Sequence, residues 1–322
     1  MERRSRKEVR IAGLGLVVAL AAWLATDAEA HPVGPGIPDL VWNFDPWIVG
    51  SLVVFGALYA AGIARLWCRA GVGRGVSGIA ALHFTLGWLF LWLALVSPLD
   101  AFGSRSLWGH MVQHELLMVL AAPLLVLGRP LEVWIWAMPR TVRPGLGRLA
   151  VVGWLRSAWI ALLSPLVAGV VHAAAVWVWH APALFQRALV DETVHTMQHM
   201  SFLFAALLFW GAVFRHRAMF AACGPVVLLL LSTLVHTGML GALMTFSNRL
   251  WYPLYAERAY TTGLAPIDDQ HLAGLIMWVP GGVAYIATAL ALCADAMAKI
   301  VAGTSANREG RPALRMEDQR TR

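Results

Sequence analysis

The sequence predicts an all-α, polytopic membrane helix bundle with seven transmembrane helices. Three observations carry that reading. Of 322 residues, 59% are hydrophobic and only 13% charged, against about 25% charged in an ordinary soluble domain. Mean hydropathy is +0.65 with 16 tryptophans, which excludes a soluble enzyme and a disordered chain. Seven separate stretches come near the roughly 20 apolar residues that a bilayer crossing needs, and no ten-residue alternation points to a barrel.

Taken in order, residues 1–30 form a basic head (Arg3, Arg4, Arg6, Lys7, Arg10), an apolar run Ile11–Ala25 and the small-residue site Ala28-Glu29-Ala30. This is the layout of a secretory signal peptide; uncleaved, it is an eighth helix. Residues 31–46 form an outer N-terminal segment. The membrane domain, 47–295, holds spans at about 47–66, 79–97, 110–128, 158–179, 195–214, 225–247 and 271–294. Residues 131–137, with Trp134 and Trp136 between arginines, read as a short interfacial helix. The segment 296–322 reads as a polar cytoplasmic tail, disordered from about Thr304.

The net charge of +7 is a matter of topology. Twenty-one of the 25 Lys and Arg residues fall on one side of the predicted spans; Arg105, Arg187, Arg249 and Arg258 are the four on the other. The rich side is cytoplasmic by the positive-inside rule. The C-terminus is then inside and the mature N-terminus outside. The charge needs no nucleic acid to explain it, and it can touch anionic lipid.

Polar groups inside a bilayer are costly and mark candidate sites. Seven of the 11 histidines (His31, His110, His114, His180, His195, His199 and His271) fall at the outer side. His172 lies about 12 Å below His180 at helical rise, and His236 is mid-span. His110/His114 and His195/His199 are i, i+4 pairs, so each pair shares one helix face. If the third and fifth helices pack together, four imidazoles converge as metal ligands do in helical bundles. Met111 and Met197 lie within the pairs, and thioether with imidazole suits copper, especially Cu(I). Asp268 and Asp269 precede His271; Asp269 reads as a ligand, as an orienting group or as the N-cap of the last helix. Glu115 is the most buried acidic candidate. Cys68, Cys223 and Cys293 lie at cytoplasmic helix ends, where no disulfide is expected.

Other chemistries fail on spacing. His114-Glu115-Leu116-Leu117-Met118 lacks the second histidine of HExxH. Gly71-Val72-Gly73-Arg74-Gly75 is a turn and not GxGxxG, and there is no GxSxG, P-loop or CxxC.

The run His110-Met-Val-Gln-His114 continuing into Ala122-Pro-Leu-Leu-Val-Leu-Gly-Arg-Pro130 resembles the CtaG family, associated with assembly of caa3-type cytochrome c oxidase. Ser97-Pro-Leu-Asp100, His195-Thr-Met-Gln-His199 and Asp268-Asp-Gln-His271 running to Pro280-Gly-Gly282 match its pattern too. Gln198 and His271 stand where many members carry an acidic residue and a glutamine.

The resemblance implies a bacterial inner-membrane protein that helps insert copper into the CuB centre during oxidase maturation. It is not an enzyme on this reading. Its client is cytochrome c oxidase subunit I, and a periplasmic copper chaperone is an expected partner. The metal set combines His110, His114, His195, His199, His271, His180, His172, Met111 and Asp269. The alternatives are a b-type haem electron carrier ligated by His172 and His236, and a copper permease. A di-iron oxygenase is disfavoured, because the cluster faces outward.

Overall fold

The computed structural model describes residues 41–145, 152–216, 223–258 and 263–309. The candidate signal peptide and His31 lie outside these. The described residues are helical and contain no strand. Six helices are long and apolar enough to cross a membrane, and a bent pair makes a seventh crossing if it counts as one span.

Helix α1 (Pro46–Ala70) begins on Asp45, whose carboxylate accepts from the Trp47 and Ile48 amides. Helix α2 (Gly78–Leu95) is capped by Ser77. A short α3 (Pro98–Gly103) follows. The third predicted span is α4, Leu107–Leu127. It is not a uniform α-helix: Leu116–Ala121 form a π-helical turn, in which the Ala122 amide bonds Leu117 O. Such a turn leaves a carbonyl out of the regular ladder, and Trp210 Nε1 donates to Met118 O at 2.8 Å.

Arg129 is the one described non-glycine residue with positive φ, at 55°. It turns the chain into α5 (Pro130–Ala137), the short helix expected over 131–137. Arg143 holds the end of α5 by bonding Met138 O and Trp136 O and lying 4.6 Å over the Trp136 ring.

The fourth expected span, 158–179, is broken. Helix α6 (Gly153–Leu162) and α7 (Pro165–Trp179) meet at 64°. The cause is Pro165: proline starts a helix well but disfavours helical backbone in the residue before it, and Ser164 becomes the N-cap of α7. With 15 residues, α7 rises roughly 22 Å, short of a full crossing. After α8 (Pro182–Ala188) come α9 (Glu192–His216), α10 (Cys223–Thr245), the short α11 (Pro253–Arg258) and α12 (Pro266–Glu309).

The last helix runs on through 296–309, the first part of the segment read as a tail. The helix-forming stretch around Ala296-Met297-Ala298-Lys299 continues it, with an i, i+4 ion pair between Asp295 and Lys299 at 2.7 Å. Residues beyond Glu309 lie outside the described part. Among the described residues Cys68 and Cys293 are free thiols.

Helix α4 is the axis of the bundle. Of its spanning window 61% is buried, against 17% for α1. It packs against α2, α9 and α12, while α7 lies on α9 and α10, and α1 on α5. The largest helix interface joins α10 to α12. Hydrophobic drive is weak between helices in lipid, so close approach through small residues does this work. A side-chain carbon on Gly274 would sit 2.6 Å from Gly241 O, and one on Gly241 would sit 2.8 Å from Gly274 O. Gly274→Val is therefore expected to lower stability by about 1–3 kcal/mol through overpacking, read as a drop in unfolding midpoint in detergent. An unchanged midpoint would show that the two helices can separate without cost.

Candidate metal centre

Both histidine pairs sit in the first turns of their helices, and each helix start is fixed by an acid. Ser106 is the N-cap of α4; its hydroxyl donates to Asp269 Oδ1 at 2.8 Å. Asp269, on α12, also accepts from the Leu107 amide at 2.9 Å and the Trp108 amide at 3.1 Å. The predicted N-cap role was right in kind but assigned to the wrong helix: Asp269 caps α4 across the interface. With three donors on its two oxygens it is a structural anchor of the site.

Helix α9 starts on Asp191, which accepts from the Thr193 and Val194 amides and pairs with Arg187 at 2.7 Å. The Val194 amide, with the Arg187 guanidinium and the Thr193 amide, holds this carboxyl below the usual carboxylate range. It therefore stays an acceptor at any physiological pH.

These anchors bring the two pairs together. Ring centroids are 4.4 Å apart for His110 and His114, and 4.3 Å for His195 and His199. Between helices, His110 lies 5.4 Å from His195 and 5.6 Å from His199, and His114 lies 5.4 Å from His199. His110, His195 and His199 can each offer a nitrogen such that all three lie within 4.8 Å of one another; with metal–nitrogen bonds of about 2.0–2.1 Å, small ring rotations bring them onto one ion. His180 joins at the edge, 6.0 Å from His114. Its Nδ1 faces Val176 O at 2.7 Å. A proton on Nδ1 leaves Nε2 as a free lone pair, the arrangement that second-sphere bonds impose on metal-ligating histidines.

Among the described residues, 15 buried side-chain nitrogen or oxygen atoms lack a hydrogen-bond partner, and ten of them are imidazole nitrogens. A buried unpaired polar group costs about 1–3 kcal/mol. Six of the ten belong to His110, His114, His180, His195 and His199, which fits a site that supplies lone pairs to a ligand.

The surroundings are built to hold the rings. Gln113, between the two histidines of α4, donates from Nε2 to Ala94 O and to Asp100 Oδ1. Asn43 donates to the other Asp100 oxygen at 2.8 Å. This is the work of the Ser97-Pro-Leu-Asp100 segment, which sets the rotation of α4. Over the start of α4, Tyr252 donates to His180 O and Tyr255 to Gly103 O, both at 2.8 Å. Burial pushes both phenols upward, so they stay protonated donors. Phe185 stacks on Tyr252 at 4.1 Å and lies 5.1 Å from His110.

Two small cavities flank the cluster. One, of about 40 Å³, reaches His195 and His199 past Asp100, Glu192 and Met200. The other, of about 30 Å³, lies deeper and reaches His114, His180, His172 and Met111.

Not every candidate joins the cluster. His271 points elsewhere: its Nε2 faces Ser247 O at 3.1 Å. Depth alone had grouped it with the others, because a helix start gives depth but not direction. Met197 is 59% exposed, while Met111 is 1% exposed. His172 and His236 pair separately at 6.1 Å. The space beside His172 is about 30 Å³. Gln113, Tyr252, Tyr255 and Phe185 were missed as site residues. Their partners are distant in sequence, and only the QH and SPLD segments hinted at the first.

The chain matches the family model described as cytochrome c oxidase caa3 assembly factor over residues 57–299. It is 30% identical over 279 residues to uncharacterised proteins of Mycobacterium bovis and Mycobacterium tuberculosis, covering 82% of this chain and 40% of each of theirs. A Mycobacterium leprae protein is 28% identical over 274 residues, covering 79% and 39%. The chain thus spans about two fifths of the length of these relatives. No solved structure matches it.

The anchoring role of Asp269 is open to direct test. Asp269→Ala strands two amides and a hydroxyl in a buried helix start and is expected to cost about 3 kcal/mol, while Asp269→Asn, which keeps an acceptor, should cost less. Thermal unfolding in detergent measures both; equal midpoints for wild type and Asp269→Ala would mean that α4 is capped by other means.

Proposed function

The chain belongs to the caa3 cytochrome c oxidase assembly factor family, and from that premise we propose that it carries copper, as cargo, into the oxidase. It is a multi-pass protein of the bacterial membrane. Family membership ties it to oxidase assembly and favours a non-catalytic role; the copper step is our reading of the site.

The single observation that carries it is the convergence of His110, His195 and His199 within 4.8 Å, with His114 and His180 beside them. The set is neutral imidazole with no carboxylate. Imidazole suits copper or zinc, and hard ions are disfavoured. A buried carboxylate would raise the affinity for a divalent ion; its absence from the set, and the nearness of Met111, favour Cu(I). Neutral ligands also release an ion more readily than a closed thiolate cage, which a carrier needs.

Counting the bent pair α6–α7 as one span gives seven, and with the Lys- and Arg-rich side turned to the cytoplasm the cluster lies near the outer face. Copper enters from that side, by way of the cavity at His195 and His199. A periplasmic copper chaperone is the donor and oxidase subunit I the client, receiving the ion at its CuB site. The residues divide the work. His110, His195 and His199 bind the ion, and His114 and His180 offer the next lone pairs. Gln113, Asp269 and Asp191 hold the helices in register, and the tyrosines close the outer end.

Loaded anaerobically with Cu(I), the purified protein is expected to hold copper tightly and to show no Soret band. His195→Ala/His199→Ala should weaken binding at the cluster by at least about 100-fold and remove one ion per chain. Cells carrying that variant should accumulate oxidase deficient in CuB, measured by metal content of the isolated enzyme. Unchanged copper in the double variant would defeat the reading.

A further inference from the structure

The deeper cavity has a chemistry of its own. It lies between α4, α7 and α12, with Thr237 of α10 on its edge, and holds no position from α9, the helix that carries His195 and His199. On α4 the lining residues Met111 and Met118 follow helical spacing, with His114 and Glu115 between them. Met277 on α12 comes from the opposite wall, one turn above Gly281, where a side-chain carbon would lie 3.3 Å from Glu115 Oε2. All three thioethers belong to buried residues. From α7 comes His172, 1% exposed, with neither ring nitrogen paired. Glu115 Oε2 is likewise unpaired. An apolar packing defect would gather no such set of donors, and a water site would not need three sulfurs.

We infer that this chamber is a second, inner binding site for a soft monovalent cation, ligated by His172 and the thioethers of Met111, Met118 and Met277. Thioether sulfur with imidazole selects monovalent soft ions over zinc or hard divalent ions. The inner site connects to the outer one through shared residues. His114 stands four residues after His110 and three after Met111, so it lies on both faces of α4, and both it and His180 line the chamber. An ion at the outer triad moves inward by exchanging one imidazole at a time, without passing through lipid or bulk water. The inference rests on the copper-carrier reading only for the natural ion; the site itself stands on the chamber.

The test uses Ag(I), a redox-inert soft cation, on the full chain in detergent. Metal per chain is measured by mass spectrometry and the ligand shell by X-ray absorption. Wild type is expected to hold two ions with sulfur among the neighbours. Met111→Leu/Met118→Leu/Met277→Leu, a volume-conserving change, should hold one ion with nitrogen neighbours alone. His195→Ala/His199→Ala should hold one ion and keep the sulfur.

Selenomethionine-labelled wild type gives a readout independent of any variant: silver–selenium scattering is expected. Its absence, or a sulfur shell that persists in the triple leucine variant, overturns the inner site and leaves the outer one standing. Two ions in the double alanine variant would instead overturn the outer site and leave the inner one.

Discussion

The amino terminus of α4 is buried, and a buried helix start must find acceptors for its free amides from outside its own backbone. Asp269 provides them, reaching from α12 to Ser106, Leu107 and Trp108. The placement of the site groups on α4 and α12 follows from that bond set. It fixes where α4 begins, and hence the depth of His110 and His114. It also fixes α12 against α4, and so brings Met277 and Tyr285 to the far wall of the deeper cavity. Helix α9 is placed by a second acid, Asp191, so that its own pair meets the first at the same level. The cost of gathering so many unpaired imidazole nitrogens is offset by this rigid frame, which keeps the rings from turning to find partners of their own.

Much of the fold was legible because a bilayer leaves so few options. Apolar runs of the right length gave the spans, and the helix over 131–137 followed from tryptophans between arginines. The fourth span shows the limit of that logic. Its hydropathy is continuous across Ser164-Pro165, but proline acts through the conformation of its predecessor, and a window of hydropathy is blind to it. At the other end, polar composition suggests a tail from 296, while local helix propensity and the Asp295–Lys299 pair carry α12 on to Glu309.

The candidate site divides in the same way. Spacing of four residues put His110 with His114 and His195 with His199, and equal depth put the pairs together. Which way a side chain points around the helix axis is a tertiary property, and it separated His271 from the cluster and exposed Met197. The second role of His114 was latent in the arithmetic: a residue at i+4 from one ligand and i+3 from another borders two faces. Asp269 was legible as a cap, but the identity of the capped helix depends on a contact across 162 positions of sequence.

The π-helical turn at Leu116–Ala121 lies between the half of α4 that bears the histidines and the half that ends at Gly128. A π turn accommodates one residue more than the α-helix around it. The two halves are therefore uncoupled in phase: each keeps the rotation its own neighbours require, the upper half for α9 and α12, the lower for α2 and the end of α9. A chain one residue shorter at this point would keep a straight helix, with one half of α4 turned by about 100°. A gap of one residue between Leu116 and Ala121 in a relative would therefore mark a different ligand face, however well the histidines on either side aligned.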